Sequence, residues 1–248
     1  MILKINRPLI VKINRHMRKS VKMMTYHSDS SSENIYYHDY KNHKTWLAGR
    51  KRSIGASEVA AAIGQSRFKS PIDIYEEKVN GNVIDLSGNE NVEYGKDAEE
   101  PLRKLFSIRH KNEYHVFHYP YRVYHNDERR YLTATLDGEL IRIADAKKGV
   151  LEIKTVNVLS TNQMKDWGYE SIPQYYYIQI LQELYATGFS FAVLFVEFRY
   201  PDEKTETREY FIDRTDVTDD MQYVVSEAEI FWKEHILKKQ KPNIELVL

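Results

Sequence analysis

The chain has 248 residues, with 36 basic and 36 acidic side chains and no formal net charge. That length suits one sizeable domain with an appendage, and an apolar share of 42% supports a core, which excludes wholesale disorder. No apolar run approaches the ~18 residues of a membrane span, and the lack of any cysteine excludes disulfides, thiolate nucleophiles and cysteine-ligated zinc or iron–sulfur centres.

Charge is uneven along the chain. Lys4, Arg7, Lys12, Arg15, Arg18, Lys19 and Lys22 are accompanied by no acid before Met24. Such an arm can neutralise phosphates. The other readings are a solvated terminus, or a mitochondrial transit peptide, since the arm is arginine-containing, acid-free and followed by serines. Residues 27–34, His-Ser-Asp-Ser-Ser-Ser-Glu-Asn, read as a linker. This divides the chain into a basic extension with a polar linker over 1–44 and a main domain over 45–248.

Ser57 is the expected N-cap of a short alanine-rich helix over Val59 to Ile63. Pro71 opens a second helix that Asn80-Gly81 ends. Leu102, Leu105, Phe106 and Ile108 predict a helix from Ala98 to His110, with Pro101 in its first turn. Tyr114 to Tyr124 reads as a strand, as do Tyr131 to Leu136 and Glu139 to Ile143 on either side of Asp137-Gly138. Lys147-Lys148-Gly149 is a turn, and Val150 to Val156 an alternating strand. A helix over Pro173 to Thr187 stops at Gly188. Phe191 to Phe198 is apolar enough for a sheet centre, Glu206 to Ile212 is a strand nearer an edge, and a helix runs from Asp216 to about Lys239. The order predicts an α/β (α+β) fold, a central mixed sheet flanked by helices.

Asp137, Glu152 and Lys154 carry the chemistry. Glu152-Ile153-Lys154 lies on one strand, so period-two geometry puts Glu152 and Lys154 on one face, and Asp137 in the preceding hairpin can return to it. Two carboxylates suit a hard cation such as Mg²⁺, and the lysine can stabilise charge on a phosphoryl oxygen. Gln179 and Gln182 share a helix face at i, i+3, and either can turn an amide to the site. Taken alone, a Glu-x-Lys pair on a strand is more often a surface ion pair. His115 and His118 fall on opposite strand faces, which argues against zinc. Tyr175 to Tyr177 can stack on bases, with helix packing the plainer role, and Ser57 lacks His–Asp partners for a serine hydrolase.

Four blocks set this constellation in order: Trp46 to Gly64 around Arg50 and Gly55-Ala56-Ser57-Glu58; Gly95 to Leu102; Ala134 to Gly138 with Leu151 to Thr155; and Pro173 to Gln182 with Thr187-Gly188. Together they resemble the PD-(D/E)xK nuclease superfamily, and more closely its lambda-exonuclease-like, YqaJ-type viral recombinase nucleases, over Trp46 to Phe198. The superfamily's proline is replaced by Leu136. The resemblance implies a restriction-endonuclease-like core in which Asp137, Glu152 and the Ile153 carbonyl hold Mg²⁺, with Mn²⁺ as a substitute. Glu99 or its neighbour Glu100 is then the upstream metal-binding acid, Lys154 the catalytic lysine and Gln179 the glutamine beside it. Arg50 and Ser57 would contact the DNA terminus or its phosphate, with Arg52 taking Arg50's place if the register shifts by two.

The same resemblance implies 5′ to 3′ digestion of linear double-stranded DNA to mononucleotides, leaving 3′ single-stranded tails. It also implies a single-strand annealing protein as partner, a ring-shaped trimer and a cytoplasmic setting in a bacterial or phage-infected cell. The competing functions are a defence or structure-specific PD-(D/E)xK endonuclease and a catalytically silent DNA-binding module. Because the whole chain is neutral and the arm is basic, the body is acidic, which a locally basic channel can accommodate.

Overall fold

A computed structural model describes residues 2–4, 24–27, 34–85, 87–160, 163–168 and 171–243. At its centre is β10 (Phe191–Arg199), whose nearly continuous apolar sequence is explained by burial on both faces. It runs parallel to β9 (Lys148–Asn157) and antiparallel to β11 (Thr205–Asp213). With β1 (Ile2–Lys4), β5 (Tyr114–Phe117) and β8 (Gly138–Arg142) these form a six-stranded mixed sheet in the order β1-β11-β10-β9-β8-β5.

Alternation along β10 sorts the core into two layers. Phe191, Val193 and Phe195 pack with Ala98, Leu102 and Phe106 of α4 (Glu90–Arg109) on one face. Ala192, Leu194, Val196 and Phe198 pack on the other with α5 (Gln174–Thr187) and α6 (Thr218–Phe231). Burying each of these phenylalanines stabilises the fold by roughly 1.5–3 kcal/mol.

A second sheet has the order β2-β3-β6-β7-β4, from β2 (Met24–His27), β3 (Asn34–Asp39), β6 (Arg122–Asn126), β7 (Leu132–Ala134) and β4 (Ile54–Gly55). α5 touches strands of both sheets, with α2 (Ala56–Ala62) beside it. α1 (His43–Arg50) and α3 (Pro71–Tyr75) complete the helices, and Gly188 ends α5 at φ 67°, a left-handed turn that glycine adopts freely.

Several expectations change. Asn34 to Asp39, read as linker, is a strand that pairs with β6 and buries Ile35; its serine-rich approach masked the alternation of Ile35 and Tyr37. Most of the basic arm, and residues 28–33, lie outside the described residues. α4 starts eight residues before the expected point, so Pro101 is interior and not in the first turn. Its ring removes one helical amide, that to the Asp97 carbonyl. Tyr114 to Tyr124 is two strands in different sheets, separated around Pro120. β9 begins inside the expected turn, at Lys148. Ser57 is not the cap of α2: Gly55 holds that position, and its amide donates to Glu58 Oε2 at 2.8 Å.

Candidate active site

Asp137 is not in a hairpin. It sits where the chain leaves β7 of one sheet and enters β8 of the other. β8 starts at Gly138, opposite Leu151 of β9. Beyond that point β9 has no strand partner on this side among the described residues, and the Ile153 amide donates to Asp137 Oδ2 at 2.8 Å. In a strand the N–H and C=O of one residue point to the same edge, so the Ile153 carbonyl also faces the Asp137 side. The gap left by a short strand thus creates the position that carries the first carboxylate.

Glu152 and Lys154 lie on the face of β9 that meets α5, as alternation requires. Glu152 is buried, and its Oε1 accepts from the Lys154 ammonium and, at 2.5 Å, from Gln179 Nε2. The same Gln179 nitrogen donates to Glu183 Oε1 at 2.8 Å. Glu183 is fully buried, and its Oε2 has no partner among the described residues. Gln182 turns away: it donates to the Ile54 and Thr133 carbonyls at 2.8 and 3.0 Å, bracing α5 against the second sheet.

Of the adjacent acids, Glu99 is the one at the site. It lines the cleft and accepts from Arg103 at 2.9 Å, while the same guanidinium nitrogen also holds the Asp137 carbonyl at 2.8 Å. Glu100 is exposed and pairs with Lys104.

Arg50 and Ser57 line a cleft of about 230 Å³ together with Trp46, Glu99, Asp137, Glu152, Lys154 and Gln179. Arg50 donates to Ser57 Oγ at 3.1 Å and Glu58 Oε1 at 3.2 Å, and its guanidinium lies 4.9 Å from the Trp46 ring. Glu58 is itself anchored by Lys78, whose side chain is fully buried, at 2.7 Å. Arg52 is exposed and does not line the cleft.

The electrostatics are strained in one direction. Burial, and then the charge of Glu152, push the Asp137 carboxyl well above the usual carboxylate range. Burial and Glu152 do the same to Glu183. Burial alone would lower Lys154, but Glu152 and Asp137 outweigh it and hold the ammonium above the ordinary lysine range. Carboxylate density therefore exceeds the one ammonium facing it. Among the described residues no three His, Asp or Glu side chains are grouped as a metal cage. Mg²⁺ seldom uses such cages, since one or two carboxylates suffice and waters complete its shell. Asp137, Glu152 and the Ile153 carbonyl edge fit that requirement.

Sequence reasoning missed two residues that line the cleft, His118 and Trp46, and one buried behind it, Glu183. His118 lines it 3.9 Å from Glu99, with its pKa lowered by burial and then by Arg103. It arrives through the pairing of Phe117 with Glu139, a long-range contact. Trp46 is fixed by its indole N–H on Thr135 Oγ1 at 3.1 Å. Glu183 was legible only as the i+4 neighbour of Gln179.

Fold and site together define a mixed α/β protein with a carboxylate–lysine cleft at the rim of its main sheet. Residues 45–190 match the YqaJ-like viral recombinase domain, and the chain belongs to that family. It is 26% identical over 205 residues to the uncharacterized protein YqaJ of Bacillus subtilis (strain 168), covering 81% of this chain and 58% of that protein. The chain thus spans under two thirds of that relative's length. Among solved structures it is similar to the alkaline exonuclease LHK-Exo of Laribacter hongkongensis, with a TM-score of 0.55 and 14% identity over 79% of this chain and 93% of that one. The complex of LHK-Exo with dAMP gives 0.53 and 16%, over 79% and 98% of the two chains. These likenesses establish the fold.

Proposed function

We propose that the protein is a divalent-metal-dependent nuclease that digests linear double-stranded DNA from its 5′ ends, releasing mononucleotides and leaving 3′ tails. The observation that carries this is the convergence of Asp137, Glu152, Lys154 and Gln179 in one cleft that Arg50 and Ser57 also line. Membership of a recombinase family and a fold shared with an alkaline exonuclease support it.

Asp137, Glu152 and the Ile153 carbonyl would hold Mg²⁺ or Mn²⁺, with Glu99 beside them. Bound there, such a cation lowers the pKa of water and stabilises charge on a phosphoryl oxygen. Lys154 presents its ammonium to the non-bridging oxygens as the pentavalent state forms. Gln179 spends its amide hydrogens on Glu152 and Glu183, which leaves its oxygen to accept from the attacking water. Water adds to phosphorus and the bond to the preceding O3′ breaks. One mononucleotide departs and the shortened strand keeps a 5′-phosphate. Arg50, with its planar fork, and the Ser57 hydroxyl suit that phosphate.

A single-strand annealing partner, a trimeric ring and a cytoplasmic setting belong to the same reading. Among the described residues no helix is long and apolar enough to cross a membrane. The test is incubation with Mg²⁺ or EDTA of a 5′-phosphorylated linear duplex, a 5′-hydroxyl duplex and a closed circle. Magnesium-dependent loss of the phosphorylated duplex with the circle spared is expected. A cut circle would make the protein an endonuclease, and retention of DNA without cleavage a binding module.

A further inference from the structure

Glu183 has no part in the chemistry set out above, yet its carboxyl is held wholly out of solvent. It lies on α5, one turn after Gln179, with none of its surface exposed. Among the described residues its Oε1 accepts from Gln179 Nε2 at 2.8 Å and its Oε2 has no partner. The Thr187 hydroxyl, its neighbour on the same helix, donates only to its backbone carbonyl. A polar pair at i, i+4 is ordinarily a small stabiliser of a helix. Here one oxygen is left unsatisfied, and a buried unpaired polar atom costs more than one hydrogen bond returns. A methionine would fill the same space without that cost. A burden on stability with no return in packing is characteristic of functional positions.

What Glu183 controls is a direction. The Gln179 amide carries two hydrogens on Nε2 and accepts through Oε1. One hydrogen goes to Glu152 Oε1 at 2.5 Å and the other to Glu183 Oε1 at 2.8 Å. Turning the amide over would set its oxygen against both of these oxygens, so the two acceptors together admit one orientation. Glu152 alone would leave the amide free to swing about a single bond, and its Oε1 is also engaged by the Lys154 ammonium. Glu183 supplies the second point of attachment. It accepts through Oε1 whether or not Oε2 carries a proton, so the hold does not depend on its titration. Resting on the nuclease reading above, we propose that Glu183 is a positioning residue: it fixes the Gln179 amide from behind and so aims the Gln179 oxygen at the water that attacks phosphorus. Gln179 lines the cleft and Glu183 does not, so Glu183 acts through its neighbour and touches no substrate. A swinging amide would present an N–H to that water for part of the time, and an N–H cannot accept the hydrogen that the water must turn away from phosphorus.

The variants that test this are Glu183→Met, which keeps the volume and removes the acceptor, and Glu183→Gln, which keeps a carbonyl acceptor. Glu183→Met should melt at or above the wild-type temperature and bind duplex DNA in Ca²⁺ as wild type does. Its single-turnover cleavage in Mg²⁺ should nevertheless slow about ten- to a hundredfold. Glu183→Gln should cleave within about threefold of wild type. In a Gln179→Met background, adding Glu183→Met should cost less than about twofold more, because no amide remains to be aimed. The Gln179 side-chain amide, assigned in ¹⁵N–¹H spectra by its loss in Gln179→Met, reads the orientation without any cleavage. Both of its protons should be shifted downfield and protected from exchange in wild type and Glu183→Gln, and one should lose both features in Glu183→Met. A lowered melting temperature with wild-type cleavage by the folded molecules would overturn the proposal, because Glu183 would then serve the core. So would an undiminished effect of Glu183→Met in the Gln179→Met background, because the carboxyl would then act on the site through its charge, and so would unchanged Gln179 amide signals in Glu183→Met. Failure of the nuclease reading looks different: wild type would cut no DNA although its Gln179 amide behaved as expected, and the aim at a water would fall with that reading.

Discussion

Lys78 anchors Arg50 and Glu58 beside the cleft, so its removal tests how that side of the cleft is built. Its side chain is fully buried, and the ammonium donates to Glu58 Oε2 at 2.7 Å and to the Arg50 carbonyl at 3.0 Å. Burial alone would raise the Glu58 pKa, but Lys78 and then Arg50 overcome it and the carboxyl titrates below its ordinary value. Lys78→Met keeps the volume and strands a buried carboxylate. Breaking a buried pair from one side costs about 3–5 kcal/mol, and the surviving Arg50 contact places this case near about 3. For a chain of this size the melting temperature should fall by about 6–12 °C. The sign with pH follows from the lowered pKa. In wild type the Glu58 contribution is fully present above the unfolded value of 4.5 and is lost as pH falls through the folded one. In Lys78→Met that acid-side loss should disappear. Urea unfolding at about pH 7.5 and at about pH 3.5, below the unfolded value, measures both effects, and Glu58→Gln added to Lys78→Met should recover part of the stability. A loss below about 1 kcal/mol at the higher pH would refute the argument, because Glu58 would then be solvated and Arg50 held by something else.

Other expectations concern the cleft. Glu183→Gln should stabilise the metal-free protein more at about pH 8 than at pH 5, because an acid whose folded pKa is raised withdraws stability as pH rises; equal melting temperatures at the two pH values would contradict it. Asp137→Asn should raise the melting temperature in EDTA, where it removes a buried repulsion, and should abolish the stabilisation by Mg²⁺ expected of wild type. A variant that Mg²⁺ still stabilises equally would remove Asp137 from the metal site. Arg50→Lys should reduce the preference for 5′-phosphate over 5′-hydroxyl ends about tenfold through loss of the bidentate fork, measured as a ratio of initial rates. An unchanged ratio would assign the phosphate to another group.

The elements that were legible in the sequence carry their signals locally. α5 is bounded by Pro173 and Gly188, and β10 announces a sheet centre by its apolar run. Asp137, Glu152, Lys154 and Gln179 were found because the family's motif names residue types in a fixed order. What stayed hidden depends on partners distant in the chain. The alternation of Ile35 and Tyr37 in β3 is too short to stand alone, and the strand is fixed by its pairing with β6. His118 reaches the cleft only because β5 pairs with β8, and the choice of Glu99 over Glu100 depends on the face that α4 turns to the sheet. The division of Tyr114 to Tyr124 between two sheets is likewise a tertiary outcome, since each half is locally a good strand.

Everything above turns on whether this cleft hydrolyses phosphodiester bonds through its own carboxylates and lysine. The most direct measurement is single-turnover release of the terminal mononucleotide from a 5′-labelled duplex in Mg²⁺ by wild type and by Lys154→Ala, with folding and duplex affinity checked in both. A fall of about a hundred- to a thousandfold at unchanged affinity is expected for Lys154→Ala. Rates within about threefold of each other, or hydrolysis by wild type that persists in EDTA, would contradict it.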